Sequence, residues 1–259
     1  MADEAAIAVA REIRGPVQVL GGKFMTSPEL AEVEAEVGLS PRSLYLRGRS
    51  AVLGDPLPNV VSELFGIFPS WLFEYALPSA TAALDAASAV RAYSRSSANW
   101  GRVNLSGVDD PGRSADLLFR LVDAADASGL ALFAGWQLAE RPADDVERLA
   151  FALMVFREFR GGIHFAALRA VGLTVPEAVV ADPEGGRGRL LRTAWSEEAA
   201  DGLIAAAEAK RDLRQRWRQA EDLTDRRVAE LLAVTLTGDE REELRRRLGA
   251  LRAASALIS

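Results

Sequence analysis

The only histidine of the chain, His164, closes the stretch Arg157-Glu158-Phe159-Arg160-Gly161-Gly162-Ile163. An imidazole titrates at about 6.5, so a single histidine can act as general acid or base if a neighbour orients it. Glu158 and Arg160 are the neighbours nearest in sequence, and the paired glycines let a ligand or a second helix come close. The alternative is a histidine that caps or fills a helix interface and is satisfied by a backbone carbonyl. Tyr45 and Arg49 form a second candidate pair, four residues apart and therefore on one helix face. A phenol and a guanidinium side by side can hold a carboxylate or an enolate-like oxygen. The alternative for Arg49 is a buried ion pair joining two parts of the chain, with Glu158 or Glu63 as partner. Phe65, Phe68, Trp71, Phe73 and Tyr75, with Trp100 and Trp136 elsewhere, suit either of two roles. They could line an apolar cavity in which Phe68, Trp71 and Trp136 touch a ligand, or they could be plain core.

Composition excludes several chemistries. With no cysteine among 259 residues, thiolate nucleophiles, disulfides, Cys-ligated zinc and iron–sulfur clusters are ruled out. One histidine rules out multi-histidine metal sites, and the Glu-x-x-His of helical carboxylate di-metal sites is absent. No metal and no cofactor is expected. Gly185-Gly186-Arg187-Gly188-Arg189 lacks the Lys-Ser/Thr of a phosphate loop and follows no strand, so it reads as a mobile loop. The net charge of −6 gives no general attraction to nucleic acid or anionic lipid. Only the arginines at 214–218 and 241–252 offer a basic region, and those of the last helix equally suit a homodimer contact. No stretch has the pattern of a signal peptide or the length of a membrane span. A cytoplasmic protein without membrane contact is the expectation.

The elements that must position these groups read as helices throughout. Ala, Leu, Arg and Glu dominate while β-branched residues are sparse, and straight-chain residues lose little freedom in a helix. A first helix over 2–14 should stop at Gly15-Pro16, with 18–25 a connection. Thr26 or Ser27 caps a helix with Pro28 at its first position, which ends at Gly38, and Ser40-Pro41 opens another to Leu53. Residues 58–67 and 70–77 are apolar on nearly every side, as buried helices are. A long helix follows from Pro78 to about 98, then a polar loop over 99–113. Helices at 114–128, 130–138 and 143–160 lead to the glycine break, and a short one runs on to Val171. A loop over 182–188 precedes helices at 196–217 and 224–236 and a last basic helix from Thr237. The architecture expected is all-α: two packed bundles, 1–98 and 114–259, with a C-terminal helical extension, or one continuous domain.

Two motifs carry a resemblance. Leu44-Tyr45-Leu46-Arg47-Gly48-Arg49-Ser50-Ala51-Val52-Leu53-Gly54 is similar to a Gly-Tyr-x-x-x-Arg-x-Ala-x-Leu-Gly segment. Residues 157–168 match Arg-Glu-x-Arg-Gly-x-x-His-x-Ala-Ala-Leu, with Trp195-Ser196-Glu197-Glu198 following. Over residues 24–200 the chain thus resembles a family of actinobacterial proteins labelled helix-turn-helix or MarR-like, some of them in natural-product gene clusters. The resemblance implies an all-helical fold. Members follow the Trp-Ser helix with a glycine turn that looks like the wing of a winged helix. Here Lys210-Arg211-Asp212-Leu213 runs on without it, which leaves a degenerate winged-helix-like segment. The reading helix, Glu197 to Lys210, carries Glu197, Glu198, Asp201 and Glu208, and duplex DNA repels such a surface. Nucleic acid is therefore disfavoured as a partner.

The function expected is binding of a mostly apolar small organic ligand, with Arg49 and Arg160 as ligand contacts. Cofactor-independent proton transfer by His164, with Glu158 and Tyr45, of a lyase, isomerase or cyclase type in specialised metabolism, would fit. The alternative is a ligand-responsive winged-helix-type transcription regulator.

Overall fold

In the computed structural model, which describes residues 3–256, the regular structure is helical, and no strand occurs among the described residues. The first half contains α1 (Glu4–Lys23), α2 (Pro28–Glu36), α3 (Ser43–Ser50), α4 (Pro58–Phe65), α5 (Ser70–Ala83) and α6 (Ala86–Asn104). Then come α7 (Pro111–Ala124), α8 (Ala131–Gln137), α9 (Asp145–Ala170) and α10 (Val175–Ala181). The chain continues with α11 (Gly186–Arg192), α12 (Glu197–Glu208), α13 (Leu213–Thr235) and α14 (Gly238–Ala256).

Helix α9 is the axis. Every residue from Leu149 to Phe156 is buried, so this part of the helix has no solvent face and needs cover on all sides. That cover comes from α1, α6, α7, α8 and α13. The largest apolar cluster runs from Ala6 to Leu251 and draws on residues from both sides of the 99–113 stretch. Helix α1 comes against the α9 backbone at Gly21, where an added Cβ would lie 2.5 Å from the Leu153 carbonyl oxygen.

Several boundaries differ from the sequence expectation, for related reasons. Helix α1 does not stop at Gly15-Pro16 but continues to Lys23, which makes the expected connection over 18–25 helical. Helix α5 likewise runs through Pro78. A proline inside a helix forfeits its bond to the carbonyl four residues earlier. Those residues, Glu12 and Glu74, are exposed, so water can satisfy the carbonyls while the opposite face is held by packing. The break comes instead at Leu84, which is extended, before Asp85 caps α6 by accepting from the Ser88 amide at 2.9 Å. Helix α6 then takes in residues 99–104 of the expected loop.

Helix α9 also passes unbroken through Gly161-Gly162, so the expected glycine break is not a break. Gly162 makes room for Leu130, whose Cδ2 would sit 2.9 Å from an added Cβ, whereas Gly161 faces open space. Helices α4 and α5 are not buried on all sides. Trp71 is 52% and Tyr75 82% exposed, and only the inner face of this hairpin packs, through Val61, Phe65, Phe73 and Leu77.

The C-terminal half holds a compact three-helix unit of α10, α11 and α12 around Val179, Leu190 and Ala200. Thr174 and Glu177 close a capping box on α10, and Ser196 caps α12. The expected 182–188 loop is shorter, since α11 begins at Gly186. The single helix expected over 196–217 is two helices parted at 209–212, and no strand follows α12 among the described residues. Among the described residues, no single helix is long and apolar enough to cross a membrane.

The two kinds of glycine contact should separate in stability measurements. Gly161→Ala is expected to stabilise by roughly 0.5–1 kcal/mol, because only helix propensity is at stake. Gly21→Ala should destabilise by about 1–3 kcal/mol, because overpacking against a backbone carbonyl outweighs that gain. Urea unfolding midpoints of the two variants check the opposite signs.

Candidate functional site

From Arg157 onward α9 turns from core rod to wall. A cleft of about 680 Å3 opens between α1, α3, α9, α10 and α13, and Tyr45, Arg49, Arg160 and His164 all line it. Its apolar lining includes Phe65, Ile67, Phe165, Leu168 and Trp217. Two polar clusters organise it.

The first joins α3 to α9. Arg49 donates from Nε and Nη2 to the two carboxylate oxygens of Glu158, both at 2.8 Å, across 109 residues of sequence. Its Nη1 also donates to the Tyr45 hydroxyl at 3.2 Å, and its guanidinium stacks 4.2 Å from the Phe65 ring centroid. Burial disfavours the Arg49 charge, but the carboxylate of Glu158 outweighs it and raises the Arg49 pKa. Burial likewise pushes the Glu158 carboxyl up, and Arg49 more than reverses this, leaving it below the usual glutamate range. Both oxygens of Glu158 are thus committed to Arg49, and it does not reach His164. This is the buried-pair alternative for Arg49, with Glu158 rather than Glu63 as partner.

The second cluster joins α1, α9 and α13. Arg160 donates to Glu221 at 2.8 Å and lies 3.6 Å from Asp225, and Arg14 donates to the same two carboxylates at 3.0 and 3.5 Å. His164 Nδ1 is 3.0 Å from the Thr224 hydroxyl, and its Nε2 is 3.7 Å from Glu221. The Thr224 hydroxyl donates its one proton to the Ala220 carbonyl at 2.7 Å. Thr224 must therefore accept from His164, which assigns the proton to Nδ1 and leaves Nε2 as the free lone pair. Burial lowers the His164 pKa, against the pull of Glu221, so the ring is held neutral near pH 7.

The partners of His164 are thus Thr224 and Glu221, not Glu158 or Arg160. Sequence reading missed α13 as the facing helix. The signal was there: Glu221, Thr224, Asp225 and Val228 recur at helical spacing, opposite Arg160 and His164, which are four apart.

Phe68, Trp71 and Trp136 stand outside the cleft. Phe68 packs behind Tyr45 with ring centroids 5.9 Å apart. Trp71 is half exposed on α5. Trp136 is fully buried, where its indole N–H donates to the Arg49 carbonyl at 3.1 Å. Among the described residues, no group of three or more His, Asp or Glu side chains is placed to hold a metal ion.

A helix-turn-helix family model matches residues 6–257, nearly the whole chain, and the chain belongs to that family. No curated protein and no solved structure shows significant similarity to it.

Arg49→Met is expected to destabilise by about 3–5 kcal/mol, because it strands the buried Glu158 carboxylate. The double variant with Glu158→Met should recover most of that loss, and chemical denaturation of the three proteins reads it. His164 gives a pH signature of its own. Its folded pKa lies below the free value of 6.5, so its contribution to stability is complete above pH 6.5 and shrinks as acid protonates the unfolded chain first. As the only histidine, it makes His164→Gln a clean control: unfolding midpoints between pH 7 and 5.5 should lose their slope.

Proposed function

With membership of the helix-turn-helix family as premise, we propose that this protein binds a small organic molecule in the cleft shared by Tyr45, Arg49, Arg160 and His164. The single observation supporting this is that residues from α3 and α9, far apart in sequence, line one cleft. Its volume lies in the range of small-molecule sites, and its apolar walls with a few convergent polar groups have the usual composition of such sites. Proton transfer through the expected pairing of His164 with Glu158 is disfavoured, because His164 faces Thr224 and Glu221 on α13 instead. Glu158 is likewise committed to Arg49 and has no free oxygen for proton transfer.

A second reading, a ligand-responsive transcription regulator, is favoured by the family match and by one contact. Val175, Ala178 and Val179 of α10 and Arg189 of α11 form part of the cleft wall, so an occupant would touch the helix-turn-helix unit directly. Against it stands α12, which carries Glu197, Glu198, Asp201 and Glu208 and no basic residue. Arg187, the nearest cation on α11, is spent on Glu197 and Asp201. Phosphate contacts supply most non-specific DNA affinity, and this helix has no cationic side chain to make them.

The cleft reading is tested by thermal shift against a panel of neutral and charged organic compounds. A compound at about 100 times its Kd should add roughly 2.7 kcal/mol of stability. Gly161→Phe, which points a ring from an unobstructed helix position into the cleft, should keep the circular dichroism of the parent and abolish the shift. A panel with no stabilising member, or shifts indifferent to Gly161→Phe, would overturn the reading. The regulator reading needs enrichment of a specific sequence from random duplex DNA at physiological salt; no enrichment dismisses it.

A further inference from the structure

Among the guanidinium groups lining the cleft, one is left without a counter-charge of its own. Arg49 is matched by Glu158, Arg189 by Asp182 at 3.0 Å, and Arg11 by Asp222 at 3.0 Å. Arg14 and Arg160 share Glu221, with Asp225 behind it. Of the remaining lining carboxylates, Glu12 pairs with Arg245 at 2.7 Å, and Glu184 stands exposed at the rim.

Arg157 is different. Its one ion-pair contact among the described residues is with Glu158 Oε1, at 3.6 Å from Nη1, and that oxygen already accepts from Arg49 at 2.8 Å. Its Nε is buried without a hydrogen-bond partner. It lies against α1 where Gly21 and Gly22 make room, an added Cβ on Gly22 falling 3.0 Å from that Nε. The side chain is 19% accessible and lines the cleft. A second orphan donor, the Nε of Arg160, lies in the same wall on a side chain only 9% accessible. Burying an uncompensated charge is costly. Here it is held in place by a pair of glycines, beside a cleft, in a chain whose net charge is −6.

We propose that Arg157 is the anchor for a ligand carboxylate, so that the cleft takes amphipathic organic monoanions. The proposal rests on the cleft being a small-molecule site and names its ligand class. A planar guanidinium fork matches a carboxylate in shape and charge. One surplus positive charge calls for one negative charge, whereas a phosphate monoester would bring nearly two. The apolar body of the ligand would lie on Phe65, Ile67, Phe165, Leu168 and Trp217, which line the same cleft.

Calorimetric titration with matched pairs, naphthoate against naphthamide and phenylbutyrate against its amide, tests this. In the parent protein the carboxylate of at least one pair should bind roughly 10- to 100-fold tighter than its amide, as a charge-assisted hydrogen bond in a partly dry site predicts. Arg157→Gln should erase that preference while leaving the amide affinity unchanged, and Arg157→Lys should keep part of it. Because Arg157 meets only the already paired Glu158, at 3.6 Å, Arg157→Gln should lower the melting temperature far less than Arg49→Met does. Equal binding of acid and amide, a preference that survives Arg157→Gln, or tighter binding of naphthyl phosphate than of naphthoate would each overturn the proposal. If amides bind and Gly161→Phe blocks them, the cleft reading stands and only the anion assignment falls. If no member of any pair binds the parent protein, both fall.

Discussion

The burial of α9 on every side between Leu149 and Phe156 is the constraint from which the rest of the architecture follows. A helix without a solvent face must be wrapped, and the wrapping has to come from elements distant in sequence: α1 from one end, α13 from the other, α6 and α7 from the middle. The wrapping is tight enough that α1 meets it through Gly21, with no side chain between the helix backbones. At Arg157 the apolar run ends and charged residues begin, while the helix itself continues for a further thirteen residues. The neighbours can no longer close over it dry, and the cleft is the space left where packing gives way to polar groups.

Two strategies for burying charge meet at that transition. Arg49 and Glu158 form a closed pair with geometry good enough to satisfy each other, and such a pair fixes how α3 sits on α9 more than it adds stability. Arg14, Arg160, His164, Glu221, Thr224 and Asp225 form an open network spread over α1, α9 and α13. The network leaves two buried polar atoms unsatisfied, the Nε of Arg160 and Oδ1 of Asp225. A closed pair is a structural device. An open network beside a cleft is where an occupant changes the electrostatic balance.

Much of this was legible in the sequence, and the misses have physical causes. The all-α character follows from composition, and local capping chemistry is legible at Ser27, one of the two cap residues expected, which accepts from Leu30, and at Gly38, whose φ is +73°. The failures cluster at prolines and glycines inside helices: Pro16, Pro78, Gly161 and Gly162. A window of sequence registers their local cost of ~1–3 kcal/mol, but not the tertiary contacts that offset it. At the site, the four-residue spacing of Tyr45 and Arg49 was enough to put them together. That Glu158 belongs to Arg49, and that His164 answers to α13, depends on helix packing across long sequence separations, which spacing alone does not encode. Arg157 escaped notice because it reads as one more charged residue beside Glu158. Only in three dimensions does it stand apart, with a buried Nε that has no hydrogen-bond partner and a sole ion-pair contact, among the described residues, to a carboxylate already held by Arg49.

The tryptophan of the turn between α11 and α12 has a mechanical meaning. The indole N–H of Trp195 donates to the carbonyl of Ile67 at 2.8 Å, tying the three-helix unit of α10, α11 and α12 to the segment just after α4. Ile67 is two residues from Phe65, whose ring carries the Arg49 guanidinium, and both residues line the cleft. The turn is therefore bolted to the cleft floor by this strut, beside the packing of Ile67 on the Val179, Leu190 and Ala200 cluster. Anything that lifts Phe65 or Ile67 pulls on the turn, and any swing of α12 must either snap the strut or drag the floor with it.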